Sequence, residues 1–200
     1  MSLGLEKNAV RVVAHDPGWA DAFAAERVQL VTILAALRPA PVIEHIGATS
    51  IRGLAAKPIV DIAIGFADGA QVGQALKLLR AAGRDYVKGA NQPGMLFMAQ
   101  GDPRRFHYHL VTLGSPAWRK VLAFRNYLRR HPGVAADYGA LKQALAERFP
   151  NSRFDYMRYK RPMLRALMLR AFAESRRRRH AKAIRDALAV AEAERRGDGG

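Results

Sequence analysis

Cysteine is absent from this 200-residue chain, which excludes disulfides, thiolate metal sites and thiol chemistry and leaves His, Asp and Glu as the strong metal ligands. Acidic residues are scarce: 17 Asp and Glu stand against 33 Lys and Arg, for a formal net charge of +16. No apolar run approaches the ~20 residues that a membrane-crossing helix needs. The first residues lack a basic segment followed by an apolar stretch, so the expectation is a cytoplasmic protein without a secretory signal or a membrane partner. A hydrophobic share of 50% and a charged share of 25% are those of an ordinary globular chain, long enough for one domain with an appendage.

The basic excess is uneven. Between residues 104 and 170 there are 15 Lys and Arg against 3 Asp and Glu, which predicts a positive potential over the C-terminal part of the fold. Nucleotide phosphates, RNA or DNA would answer that charge, and so would a simple preference for arginine as solubilising surface.

Residues 10–14, Val-Arg-Val-Val-Ala, read as a short strand. Asp16 and Pro17 suit the cap and first turn of a helix that the spacing of Trp19, Phe23, Leu30, Leu34 and Leu37 carries to about residue 37, with this face, Trp19 included, in the core. Runs at 42–47 and 59–66 predict two central strands, and Asp68 caps a helix to about residue 82. Weaker strands follow at 86–88 and 95–99, then a strong one at 105–113. Ser115 and Pro116 open a helix to Arg130 that His131-Pro132 ends, and two more helices cover about 133–149 and 153–172. Strands and helices followed by helices alone predict an α+β (α/β-like) domain over residues 1–173 with a C-terminal helical region. Residues 174–200, with Arg176-Arg-Arg-Arg and a Gly-Asp-Gly-Gly end, read as a basic tail, a solvated helix that frays.

The chemistry concentrates between the first two central strands, in His45-Ile-Gly-Ala-Thr-Ser-Ile-Arg-Gly-Leu-Ala-Ala-Lys-Pro-Ile-Val-Asp61. Gly47 and Gly53 permit close backbone approach, Thr49 and Ser50 offer hydroxyls, Lys57 a point charge and Arg52 a forked donor. Such a loop either cradles a phosphate or only turns the chain. Period two places Asp61 and Ala63 on one strand face and Val60, Ile62 and Ile64 on the other. A carboxylate in an apolar strand needs a partner, whether a metal ion, Lys57 or loop amides. Arg105, His107 and His109 likewise share one face opposite Phe106, Tyr108 and Leu110, and two imidazoles so spaced can converge on one ion. His45 either packs in the core or lines the site.

The stretch from His45 to Asp61 resembles the signature H-I-G-S-T-S-V-P-G-L-A-A-K-P-I-I-D-I of the GrpB family, which also occurs fused to dephospho-CoA kinase as a C-terminal domain. The resemblance continues through His107-Tyr-His-Leu-Val, Trp118, Leu122-Ala-Phe-Arg-Asn-Tyr-Leu-Arg-Arg-His-Pro, Tyr138-Gly-Ala-Leu-Lys and Tyr156-x-x-x-Lys160, covering about residues 9–172. The family is similar to nucleotidyltransferases, which implies a mixed β-sheet with packed helices, a Gly-Ser loop on phosphate and an Asp-x-Asp/Glu pair holding two metal ions. By that resemblance Gly47, Thr49 and Ser50 touch phosphate and Asp61 holds metal. Ala48, Arg52 and Asn126 depart from the usual Ser, Pro and Asp, and Ala63 occupies the second acid's place.

The resemblance implies metal-dependent nucleotidyl transfer from an NTP, with Asp61 and His109 catalytic. Asp61, His107 and His109 would bind Mg²⁺ or Mn²⁺, or Zn²⁺ given two imidazoles, and Lys57, Arg105 and Arg125 would neutralise phosphate. A catalytically inactive nucleotide-binding or folding-accessory domain is the alternative. A third reading, RNA binding through the basic helices, is the less favoured partner assignment.

Overall fold

The computed structural model describes residues 3–6 and 8–197, with side chains through residue 189, so residues 198–200 of the glycine-bearing end lie outside it. Alternating apolar and polar positions produce five strands: β1 (Val42–Ile46), β2 (Val60–Phe66), β3 (Asp85–Tyr86), β4 (Met95–Gln100) and β5 (Phe106–Thr112). They form one mixed sheet in the order β1-β2-β5-β4-β3, in which β2 and β5 are parallel and the other neighbours antiparallel.

One face of this sheet is apolar. Val60, Ile62 and Ile64 of β2 and Tyr108 and Leu110 of β5 are almost wholly buried against α1 (Gly18–Ile33) and α2 (Gly69–Ala81), which contribute Trp19, Leu30, Ala75 and Leu79. Trp19 is thus a core residue, as expected. Asp68 caps α2, its Oδ1 accepting from the Gln71 backbone N–H at 2.9 Å. A buried ion pair also sits on this side. Arg84 Nη2 donates to Glu26 Oε1 at 2.9 Å, and the Tyr108 hydroxyl donates to the same oxygen at 2.8 Å.

The other face meets the C-terminal helices α3 (Pro116–Arg130), α4 (Pro132–Arg148) and α5 (Arg153–Gly197). Ser115 caps α3 through the Trp118 N–H at 3.2 Å, with Pro116 at the first position. Ile51 and Leu54, from the loop before β2, pack among Leu128, Tyr138 and Leu167 of these helices. The loop is therefore gripped between sheet and helices.

Three expectations change. Residues 10–14 form no strand: Val13 makes an isolated bridge with Ala56, while the Val10 N–H donates to Pro150 O at 2.9 Å. The segment threads between a loop and the end of α4, where no extended neighbour can propagate a ladder. The first helix ends at Ile33, and Leu34 and Leu37 reach the core from the following turn. The last helix does not stop near residue 172 but runs unbroken to Gly197. Glu174, one residue beyond the expected domain boundary, accepts from Arg130 at 2.8 Å and His131 at 2.7 Å, fastening α5 to the end of α3. No helix among the described residues is long and apolar enough to cross a membrane.

The Glu26–Arg84 pair supplies a test of the apolar layer. Arg84→Met should cost about 3–5 kcal/mol in urea unfolding because it leaves a buried carboxylate without its cation. The Glu26→Gln/Arg84→Met double variant should recover much of that loss. Equal destabilisation of both variants would show that packing, not charge, is what Arg84 supplies.

Candidate active site

The parallel register of β2 and β5 sets Asp61 directly opposite His107 and Ala63 opposite His109. All four side chains therefore point to the front of the sheet, away from α1 and α2. His107 Nδ1 donates to Asp61 Oδ1 at 3.1 Å, and His109 Nε2 donates to the same oxygen at 3.3 Å. Phe97, which β4 places opposite His109, packs against both rings at centroid distances of 4.9 and 5.3 Å. The Asp61 side chain is 30% exposed, so the cluster is open to solvent on the front of the sheet. Burial pushes its carboxyl upward, but the hydrogen bonds and charge of His107 and His109 outweigh it and hold the group well below the usual carboxylate range. His109 Nδ1, the ring nitrogen left over, is buried without a hydrogen-bond partner among the described residues.

Asp61 Oδ2 faces the loop. A Cβ added at Gly47 would lie 2.5 Å from that oxygen, and Gly47 has φ +68°, so both space and backbone demand glycine. A single 3-10 turn (Ala48–Ser50) follows, closed by the Ser50 hydroxyl donating to Gly47 O at 2.7 Å. Thr49 is buried, its Oγ1 hydrogen-bonded to His45 Nε2 at 3.0 Å beneath the loop. His45 stacks on Phe23 at 4.8 Å, and burial, with Arg129 and Arg125 nearby, lowers its pKa to about 4. A neutral imidazole is what that apolar setting favours. Arg129 fastens the far end of the turn through Ser50 O at 2.7 Å.

Cations gather where the helices face the front of the sheet. Lys57, from the loop, and Lys160, from α5, lie 5.7 and 4.9 Å from the centroid of the same Tyr156 ring. Lys142, from α4, lies 4.7 Å from the Tyr138 centroid and donates to Ala55 O. Burial, then repulsion from Lys160 and Lys57, lowers the Lys142 pKa to about 7, while burial and Lys57 lower that of Lys160 to about 8. Lys57 is shifted down as well, by burial and by Arg153. Asp61 is the one carboxylate whose charge opposes all three shifts.

The model of the family described as GrpB protein matches residues 9–170. The chain belongs to the GrpB family. A UPF0157 protein of Pseudomonas aeruginosa is 32% identical over 92% of this chain and 81% of its own length. Glutamate-rich protein GrpB of Alkalihalophilus pseudofirmus is 30% identical over 80% of this chain and 94% of itself. UPF0157 protein YqkA of Bacillus subtilis is 35% identical over 77% of this chain, which spans only 45% of that longer relative. Among solved structures, conserved protein GrpB from Enterococcus faecalis superposes with a TM-score of 0.70 at 29% identity, covering 81% of this chain and 99% of that one. The Cid1 poly(U) polymerase with Mg 3′-dATP bound superposes at 0.50 with 13% identity, over 68% of this chain and 44% of that one. The fold of this GrpB protein is accordingly nucleotidyltransferase-like and α+β.

The residues singled out from the sequence fare differently within it. Asp61, His107 and His109 converge, and Lys57 lies within electrostatic reach of Asp61. The hydroxyls of Thr49 and Ser50, expected on phosphate, are instead engaged inside the loop. Arg125 points at β1, donating to Glu44 Oε2 at 2.6 Å and His45 O at 3.0 Å, because α3 crosses the sheet there. Arg105 lies over the Phe106 ring beside Gly4 and Gly101, at the edge rather than in the cluster. Lys142 and Lys160 were not singled out. Their signal was present as two Tyr-x-x-x-Lys repeats, Tyr138 to Lys142 and Tyr156 to Lys160, each pair on one helical face.

A two-metal centre does not fit these residues. Ala63 removes one acid, and Asp61 Oδ1 is occupied by both imidazoles. Glu44, which β1 sets opposite Ala63, is paired with Arg125. No group of three or more His, Asp and Glu among the described residues is disposed to hold a metal ion. Asp61, His107 and His109 thus converge as expected into one polar cluster, held by hydrogen bonds to Asp61 Oδ1.

Two outcomes follow. Gly47→Ala should lose about 1–2 kcal/mol from its positive φ alone, and more from the contact with Asp61. Gly53→Ala, at φ +79° with nothing within 4 Å of the new Cβ, should show the backbone part only. Equal losses would mean that the approach to Asp61 carries no energy. Lys142 and Lys160 bind fewer protons in the folded chain than in the unfolded one from about pH 7 toward the free-lysine value of about 10.4. Stability should therefore rise with pH through that window, by about 1 kcal/mol or more. Lys142→Met should flatten the rise, and a wild-type profile that is flat or falling would contradict the burial assigned to these amines.

Proposed function

We propose that this GrpB-family protein binds a nucleotide by its phosphates in the cleft between the front of the sheet and helices α4 and α5. The observation that carries this reading is the set of buried Lys142 and half-buried Lys57 and Lys160, each within electrostatic reach of Asp61 on the polar side of a nucleotidyltransferase-like sheet. A polyphosphate brings the negative charge that those ammonium groups otherwise lack.

Nucleotidyl transfer to an acceptor is the second reading, favoured by the nucleotidyltransferase-like fold and by the Asp61 carboxylate, which is 30% exposed on the front of the sheet. In that reaction the acceptor oxygen attacks the α-phosphorus, the bond to the leaving pyrophosphate breaks, and the acceptor's proton passes by way of the partly exposed Asp61 carboxylate to solvent. If only binding occurs, the domain is an accessory module. RNA is the less favoured partner, since the lysines lie inside a cleft rather than along an open face.

A thermal-shift screen of nucleoside mono-, di- and triphosphates, with and without Mg²⁺ or Mn²⁺, tests the reading directly. A nucleotide at about a hundred times its Kd stabilises by roughly 2.7 kcal/mol, which is roughly 5–10 °C in Tm for a chain of this size. Release of pyrophosphate from the stabilising nucleotide would establish transfer, and stabilisation without release would leave the accessory module. Were no nucleotide to move Tm under any of these conditions, the cleft would not be a nucleotide site.

A further inference from the structure

We propose that Lys57, Lys142 and Lys160 form a metal-independent clamp for a polyphosphate chain. This rests on the phosphate-binding reading and specifies how the phosphates are held.

The three lysines come from separate elements, the loop before β2, α4 and α5, so their convergence is a property of the tertiary fold. Lys142 is 3% exposed and has one hydrogen-bond acceptor, Ala55 O, for three N–H groups. Lys57 and Lys160 share the Tyr156 ring and have no hydrogen-bond acceptor or carboxylate partner among the described residues. Arg153 adds a further positive charge within electrostatic reach of Lys57 and Lys160. Among the described residues the one opposing charge is Asp61, whose Oδ1 already accepts from two imidazoles.

Like charges gathered in a poorly hydrated cleft repel one another and favour loss of their protons, and a bound anion reverses both effects. A divalent cation entering this space would add to the repulsion. A metal-free polyphosphate would relieve it, because each non-bridging oxygen can accept from an ammonium group as from a metal-bound shell. The site's charge thus selects the free anion over its metal complex. Two-metal nucleotidyl transfer, with its paired acids, would call for the opposite charge.

The probe is inorganic triphosphate, applied to the full chain in EDTA and again in excess Mg²⁺. The expected result is a rise in Tm in EDTA at least as large as in Mg²⁺. A Lys142→Met/Lys160→Met double variant should weaken triphosphate binding at least tenfold while its ligand-free Tm stays level or increases, since the repulsion is gone. Arg176→Ala/Arg177→Ala, in the exposed part of α5, should bind as the wild type does, which separates the clamp from general attraction to a basic chain. Stabilisation that requires Mg²⁺ or Mn²⁺, or that survives in the double variant, would overturn the clamp and leave nucleotide binding standing. If neither triphosphate nor any nucleotide moves Tm, both proposals fall.

Discussion

The parallel register of β2 against β5 is the constraint from which the front of the molecule follows. It sets Asp61 level with His107 and Ala63 level with His109, so one carboxylate oxygen receives two imidazole donors. A slip of one residue would turn all of them into the apolar layer beneath α1 and α2. Val60, Ile62, Ile64, Tyr108 and Leu110 prevent that slip, since the same shift would drive them into solvent. The burial of one face thereby fixes the chemistry of the other, and Gly47 completes it by leaving room for the second oxygen of Asp61.

The helical layer works in the opposite sense. Packing among Leu128, Tyr138, Leu167 and the loop residues Ile51 and Leu54 is favourable, but it carries Lys142 and Lys160 toward Lys57. Apolar burial offsets the resulting repulsion, and the lysines have aromatic faces beside them as partial compensation. Under the phosphate-binding proposal, a site that is electrostatically unfavourable when empty is preorganised for its anion, because little rearrangement would remain when the ligand arrives.

What was readable in the sequence was what depends on neighbours along the chain. Asp68 and Ser115 cap their helices as their spacing predicts, and period-two patterning correctly placed Asp61, His107 and His109 on polar faces. Residues 10–14 misled because β-prone side chains need an extended partner strand, and the fold offers only Ala56 and Pro150 there. Thr49 and Ser50 were assigned to phosphate by the family resemblance and Arg125 by its charge. The hydrogen bonds they make to His45, Gly47 and Glu44 depend on how β1 enters the loop and how α3 crosses it, which no local pattern encodes. The tail from residue 174, read as helical, is helix, but it continues α5 without a break, and Glu174 pairs with Arg130 of α3 and with His131, which caps it.

Ala63 acquires its meaning from what surrounds it. The front of the sheet still carries a second carboxylate, Glu44, opposite Ala63 on β1, but Arg125 neutralises it at 2.6 Å and at the same time holds His45 O. The acid that would help recruit cations is thus absent at position 63 and cancelled at position 44, while lysines occupy the space across the cleft. The small side chain at Ala63 leaves His109 free to lean onto Asp61 and hold the remaining carboxylate in place.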